Sequence, residues 1–120
     1  MPATILVVDD SLTEQKLILE ALKTTGHHIL TADDGEQALE MARKHQPQLI
    51  LLDVILPKKN GFQVCRQLKT APETEQIKIV LVTSKTQDSD RFWGLKQGAD
   101  DYLGKPFTPD ELHSTLSKFV

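Results

Sequence analysis

The chain has little of what several large protein classes require. Cys65 is its single cysteine, so neither an intrachain disulfide nor a cysteine-based zinc site can form. Aromatic residues make up only 5% of it, and lysine and arginine never cluster into a block. That combination argues against direct nucleic-acid binding, which needs a basic surface and usually stacking rings. Its apolar runs stop far short of the roughly 20 residues that cross a bilayer. The N-terminus lacks the charged and apolar regions of a signal peptide. There is no glycine-rich phosphate loop, linker, low-complexity stretch or internal repeat. The expectation is a cytoplasmic protein with neither membrane nor nucleic acid as partner.

What is present describes one folding unit. The 120 residues are 39% hydrophobic and 26% charged with a net charge of −3, as in soluble globular domains. A chain of this size buries roughly two-thirds of its unfolded surface. The last helical segment reaches Val120, so one domain over 1–120 with no output domain is expected. Cys65, inside the amphipathic stretch from Gly61 to Leu68, reads as a small packing residue.

Strand and helix signals alternate with little between them. Strands are expected near 4–9, 28–32, 49–53, 78–83 and 100–103, and helices near 12–24, 35–45, 61–70, 87–97 and 109–119. The strand cores are continuous apolar runs, as in a parallel sheet covered on both faces. Helix starts are well marked. Ser11 with Glu14, and Thr108-Pro109 with Glu111, have capping-box spacing; Asp34 with Gln37, and Asn60 with Gln63, repeat it. Gly26 and Gly98 stand where helix C-terminal glycines belong. Five βα units with right-handed crossovers predict an α/β doubly wound, (βα)5 three-layer sandwich of flavodoxin-like type. A five-stranded parallel sheet of order 2-1-3-4-5 sets strands 1 and 3 side by side at the switch point.

The informative polar residues stand at the ends of those strands. Asp9-Asp10 closes Ile5-Leu6-Val7-Val8, Asp53 closes Leu49-Ile50-Leu51-Leu52, Thr83 closes Ile79-Val80-Leu81-Val82, and Lys105 follows Asp101-Tyr102-Leu103-Gly104. In a parallel sheet these ends share one edge, where ligands bind. Three carboxylates brought together repel one another unless a cation neutralises them, and hard oxygen donors suit Mg²⁺. Any one of these residues alone reads as a helix cap, a strand-end hydroxyl or a solvated lysine. Together they require every accident to fall on the correct strand end.

The set Val7-Val8-Asp9-Asp10-Ser11, Leu51-Leu52-Asp53-Val54-Ile55-Leu56-Pro57-Lys58-Lys59-Asn60-Gly61-Phe62, Thr83-Ser84 and Lys105-Pro106-Phe107 resembles the receiver domain of bacterial response regulators, the CheY-like family. The resemblance runs through the whole chain. It implies that Asp53 is the phosphoacceptor, forming an aspartyl phosphate. It makes Asp10 a direct Mg²⁺ ligand and Asp9 one acting mainly through water, with Asp53 and the Ile55 carbonyl completing the protein ligands. Lys105 and Thr83 would each meet a phosphoryl oxygen, and charge neutralisation of that kind dominates phosphoryl transfer. The Lys105–Pro106 bond would be cis. Gly61 is expected to give the loop backbone freedom and Pro57 to stiffen it.

The resemblance also implies a switch. Thr83 moves toward the phosphoryl group, Tyr102 turns inward, and the surface of helix 4, strand 5 and helix 5 changes. In helix 4, Phe92-Trp93-Gly94 places the only tryptophan beside a glycine that costs about 1 kcal/mol in a helix interior. The segment from Ser84 to Ala99 is similar to single-domain regulators of type IV pilus motility and phototaxis, and Phe92, Trp93 and Tyr102 become the expected partner surface. A histidine kinase would supply phosphate and a downstream motility or signalling protein would read it, the regulator being a monomer or a weak phosphorylation-dependent dimer. Apolar Ile55 and cationic Lys85, at the positions that tune lifetime in the family, predict slow self-dephosphorylation. The protein is then a phosphoacceptor rather than an enzyme. Two alternatives stay open: a binding module that is never phosphorylated, and a phosphate sink for a shared kinase. A phosphatase with an aspartyl intermediate fits poorly, because its second acid stands two residues after the first rather than adjacent. His27, His28, His45 and His113 form no plausible metal cluster.

Overall fold

The computed structural model describes residues 2–120. Each apolar run becomes a strand and each capped amphipathic run a helix: β1 Thr4–Val8, α1 Leu12–Leu22, β2 His28–Ala32, α2 Gly35–His45, β3 Leu49–Leu52, α3 Gly61–Thr70, β4 Lys78–Thr83, α4 Asp88–Lys96, β5 Asp101–Gly104 and α5 Pro109–Leu116. The five strands are parallel in the order β2-β1-β3-β4-β5, as expected.

Alternation along the strands builds two cores from one sheet. Leu6 and Val8 of β1, with Ile50 and Leu52 of β3, face α2 and α3 through Ala38, Leu39, Val64, Cys65 and Leu68. Ile5, Val7, Leu49 and Leu51 face the other way, against Ile18 and Leu22 of α1 and Leu112 and Leu116 of α5. Each fully buried Leu or Ile in these layers contributes about 1.5–3 kcal/mol of transfer free energy. Cys65 is fully buried, and burial pushes its thiol up to about 12, so it packs rather than reacts.

β2, α2, α3 and β4 have the expected bounds, β5 is shifted by one residue, and β1, β3, α1, α4 and α5 are shorter than expected, for local reasons. Asp9 and Asp53 lie just beyond their strands, although Asp9 N still donates to Ala32 O and Asp53 N to Val8 O. Helix α1 stops at Leu22 because the Thr25 hydroxyl donates to the Leu22 carbonyl at 2.6 Å. After Leu116 the chain tightens into three-residue turns, Lys118 N to Thr115 O and Phe119 N to Leu116 O, instead of continuing α5. The boxes at 60–63 and 108–111 close in both directions. In α2, Asp34 accepts from Gln37 N, but Gln37 Oε1 reaches one residue further back, to Asp33 N. In α1 the return arm is missing. Ser11 Oγ accepts from Glu14 N, while Ser11 N donates to Asp9 Oδ1 and Glu14 points elsewhere.

Helix α4 is the least anchored element. Gly94 is its only buried residue, and Phe92, Trp93 and Leu95 are exposed.

Candidate functional site

The strand order brings the ends of β1, β3, β4 and β5 to one edge, and the five singled-out residues lie there. Asp9 is 1% exposed, Asp53 6% and Thr83 fully buried, whereas Asp10 is open to solvent. Ligand oxygens of Asp9, Asp10 and Asp53 all fall within 4.8 Å of one another. That is the spacing of oxygens able to share one small hard cation.

Lys105 provides the counter-charge from the opposite wall. Its Nζ lies 2.8 Å from Asp9 Oδ2, 3.2 Å from Asp53 Oδ2 and 2.9 Å from Glu14 Oε2. Burial works against the ammonium, but the hydrogen bonds to Asp9 and Glu14 and the Asp53 charge outweigh it and hold its pKa above the usual lysine value. The Asp53 carboxyl is pushed above the ordinary aspartate value, chiefly by burial, with Lys105 and the Ile55 N–H pulling the other way. Three carboxylates around one ammonium, with Asp10 beside Asp9 and Asp53, leave a negative cleft, which suits a dication better than a second lysine.

The backbone sets the acceptor loop. Asp53 Oδ1 accepts from Ile55 N at 3.2 Å, and Gly61 N donates to Val54 O at 2.8 Å. Gly61 acts by closeness rather than by backbone freedom. Its φ is not positive, and a Cβ there would overlap the Asp53 carbonyl oxygen. The left-handed residue of the loop is Lys58, at φ 68. The Ile55 side chain is 55% exposed. The Lys105–Pro106 bond is cis, and Lys105 N donates to Thr83 O.

Two polar residues of α1 were not foreseen as part of this site. Gln15, 7% exposed, shares the inward stripe with Ile18 and Leu22, and its Nε2 donates to Asp9 O and Asp33 Oδ1, fixing the loop after β1. An amide on an otherwise apolar helix stripe was the available signal. Glu14 carried only a capping signal.

Thr83 and Tyr102 meet at Lys85. Thr83 Oγ1 accepts from Lys85 N at 3.3 Å, and the Tyr102 hydroxyl donates to Lys85 O at 2.5 Å. The Tyr102 ring already points inward, 5% exposed, so unlike Phe92 and Trp93 it is not part of an exposed partner surface as expected, and burial together with Asp90 raises its hydroxyl to about 12. Arg91 lies over the ring, 5.9 Å from its centroid, and donates to Tyr102 O. On the same face, burial alone would raise the Asp101 carboxyl, but Lys118 and the Tyr102 N–H outweigh it and hold it below the usual range.

Residues 5–117 match the model of the response regulator receiver domain. The chain belongs to that family. Among its relatives is Protein PilH of Pseudomonas aeruginosa, 42% identical over 115 residues that take in 96% of this chain and 95% of that protein. The chain spans about half the length of several other curated relatives, which are transcriptional regulators. Among solved structures, the Vibrio cholerae chemotaxis protein CheY4 superposes with a TM-score of 0.92 at 30% identity, each chain covered to 100%. The receiver domain of the sensor histidine kinase PA1611 from Pseudomonas aeruginosa, with magnesium in its active-site cleft, superposes at 0.91 with 29% identity, covering 99% of this chain and 98% of that one. This receiver therefore has the CheY-like flavodoxin fold, and its acid cluster stands at the edge where the family binds Mg²⁺. No helix among the described residues is long and apolar enough to cross a membrane.

Proposed function

We propose that this receiver is a stand-alone response regulator that accepts a phosphoryl group on Asp53 from a histidine kinase. The observation that carries the reading is Lys105 Nζ at 3.2 Å from Asp53 Oδ2, facing a three-acid cluster whose oxygens fit one cation. Asp10, Asp9, Asp53 and the Ile55 carbonyl would hold Mg²⁺, which when bound neutralises charge on the transferring group. Asp53 oxygen forms the new bond to phosphorus. The donor's bond to phosphorus breaks and the leaving group keeps the electron pair. Lys105 pairs with one phosphoryl oxygen and the Thr83 hydroxyl donates to another. The protein adds no reaction of its own beyond promoting this transfer and its slow reversal by water, so it acts as a switch rather than as an enzyme.

Output follows from the Lys85 peptide units. Drawing Thr83 toward the phosphoryl group strains its bond to Lys85 N, and the Lys85 carbonyl holds Tyr102. The switch would therefore reach α4, β5 and α5, where Phe92 and Trp93 offer apolar contact to a partner. Similarity to PilH and to a chemotaxis protein supports a motility or taxis pathway. A cytoplasmic location follows from a kinase donor.

Intact mass after incubation with Mg²⁺ and acetyl phosphate tests the reading. One phosphoryl adduct is expected on wild type, none without Mg²⁺ and none on Asp53→Asn. No adduct with any donor, a cognate kinase included, would make the chain a binding module despite its complete site.

A further inference from the structure

We propose that Glu14 is a positioning residue for Lys105, tethering the ammonium so as to set both Mg²⁺ affinity and the rate of phosphoryl acceptance. This rests on the phosphoacceptor reading of Asp53. The first support is a local rule that fails. Ser11 and Glu14 have the capping-box spacing, and the boxes at 60–63 and 108–111 close fully. In α1 the Glu14 side chain gives up the return bond, Asp9 Oδ1 takes the Ser11 N–H at 2.9 Å, and Glu14 Oε2 goes 2.9 Å from Lys105 Nζ. The bond to Lys105 joins two ions, whereas the capping bond it replaces would have joined the same carboxylate to an uncharged N–H.

The second support is the proton count. An ammonium has three N–H donors. Here Asp9, Glu14 and Asp53 take one each, at 2.8, 2.9 and 3.2 Å. A phosphoryl oxygen on Asp53 needs one of them. On phosphorylation Asp53 uses a carboxylate oxygen for the new bond to phosphorus, and Asp9 would serve Mg²⁺, whereas Glu14 is called on for neither. With its side chain 44% exposed, it can also release into water. It is the partner that competes with the phosphoryl group for Lys105.

The two effects have opposite signs. The Glu14 charge favours a dication in the cleft and takes one of the three Lys105 N–H groups that Asp9 and Asp53 would otherwise share. The same charge repels a dianionic phosphodonor and occupies a donor that the donor's oxygen needs. A unit charge several ångströms from a doubly charged ion, in near-aqueous dielectric and screened by salt, changes a binding or rate constant by about threefold. A structural role alone would move both quantities the same way or neither.

The experiment measures Mg²⁺ affinity by calorimetry and the acetyl phosphate rate at saturating Mg²⁺ by intact mass, on wild type, E14Q and E14D. E14Q is expected to bind Mg²⁺ about threefold more weakly and to phosphorylate about threefold faster. E14D, its charge drawn back by one methylene, should fall between on both, and decides the matter if E14Q does not fold. Unchanged values, or both moving down together, overturn the proposal. If wild type itself takes no phosphoryl group, the phosphoacceptor reading fails separately. The Mg²⁺ arm then still decides the tether, weakened binding supporting it and unchanged binding refuting it.

Discussion

Replacing Gly94 with alanine sets two physical effects against each other in one helix. Alanine in a helix interior is worth about 1 kcal/mol over glycine, so propensity alone makes G94A more stable. Packing opposes it. A Cβ at Gly94 would stand 2.8 Å from Leu81 Cδ1 and 2.9 and 3.0 Å from two atoms of the Tyr102 ring. Leu81 is fully buried and Tyr102 nearly so, which leaves neither free to yield. Overpacking of this kind costs about 1–3 kcal/mol. If the ring leaves instead, the cost includes its hydroxyl bond to Lys85 O, worth about 1 kcal/mol, and the exposure of the ring. Either route should leave G94A about 1 kcal/mol less stable than wild type, a fall in Tm of roughly 4 °C for a domain of this length. Urea unfolding measures the stability change, and near-UV circular dichroism reports Tyr102 and neighbouring Trp93. In a Tyr102→Ala background two of the three close contacts vanish, and the penalty should shrink or reverse. A G94A protein about 1 kcal/mol more stable, with unchanged aromatic signals, would refute the steric argument.

The charge layout makes two further predictions. Lys105→Ala strips the shared cation from the buried acids Asp9 and Asp53 and should cost about 3 kcal/mol in chelator. Mg²⁺ at a hundred times its dissociation constant should return about 2.7 kcal/mol of that, and unfolding curves with and without Mg²⁺ check both numbers. For Asp53, burial raises the folded-state pKa, so its ionised form costs stability that is absent below about pH 4 and grows as pH rises through the folded-state value. Asp53→Asn should therefore be more stable than wild type near neutrality, the gap closing toward about pH 4. A gap that widens on acidification would contradict this sign.

The fold and the acid cluster were legible because they depend on neighbours in sequence. Apolar runs such as Leu49–Leu52 mark buried strands, and the polar residue that ends each run marks the sheet edge. The strand order could be chosen because only β1 beside β3 gathers Asp9, Asp10 and Asp53. What stayed hidden depends on distant partners. Glu14 satisfies a local spacing rule, and only a lysine 91 positions away overrules it. Gly61 looked like a hinge and is instead a gap that the Asp53 carbonyl fills, a fact about packing that glycine's identity does not reveal. The left-handed Lys58 was equally silent, since lysine has no marked preference for that conformation.

The strand order also bears on how the chain assembles. Because β1 lies between β2 and β3, the first 52 residues contain three adjacent strands with all their mutual partners. A growing chain can thus pair three of its five strands before β4 exists, each joined to the next by a helical crossover. Asp9, Asp10 and Asp53 are then gathered long before Lys105 is synthesised. Until Lys105 docks, the repulsion among these acids lacks the ammonium that faces them in the finished fold.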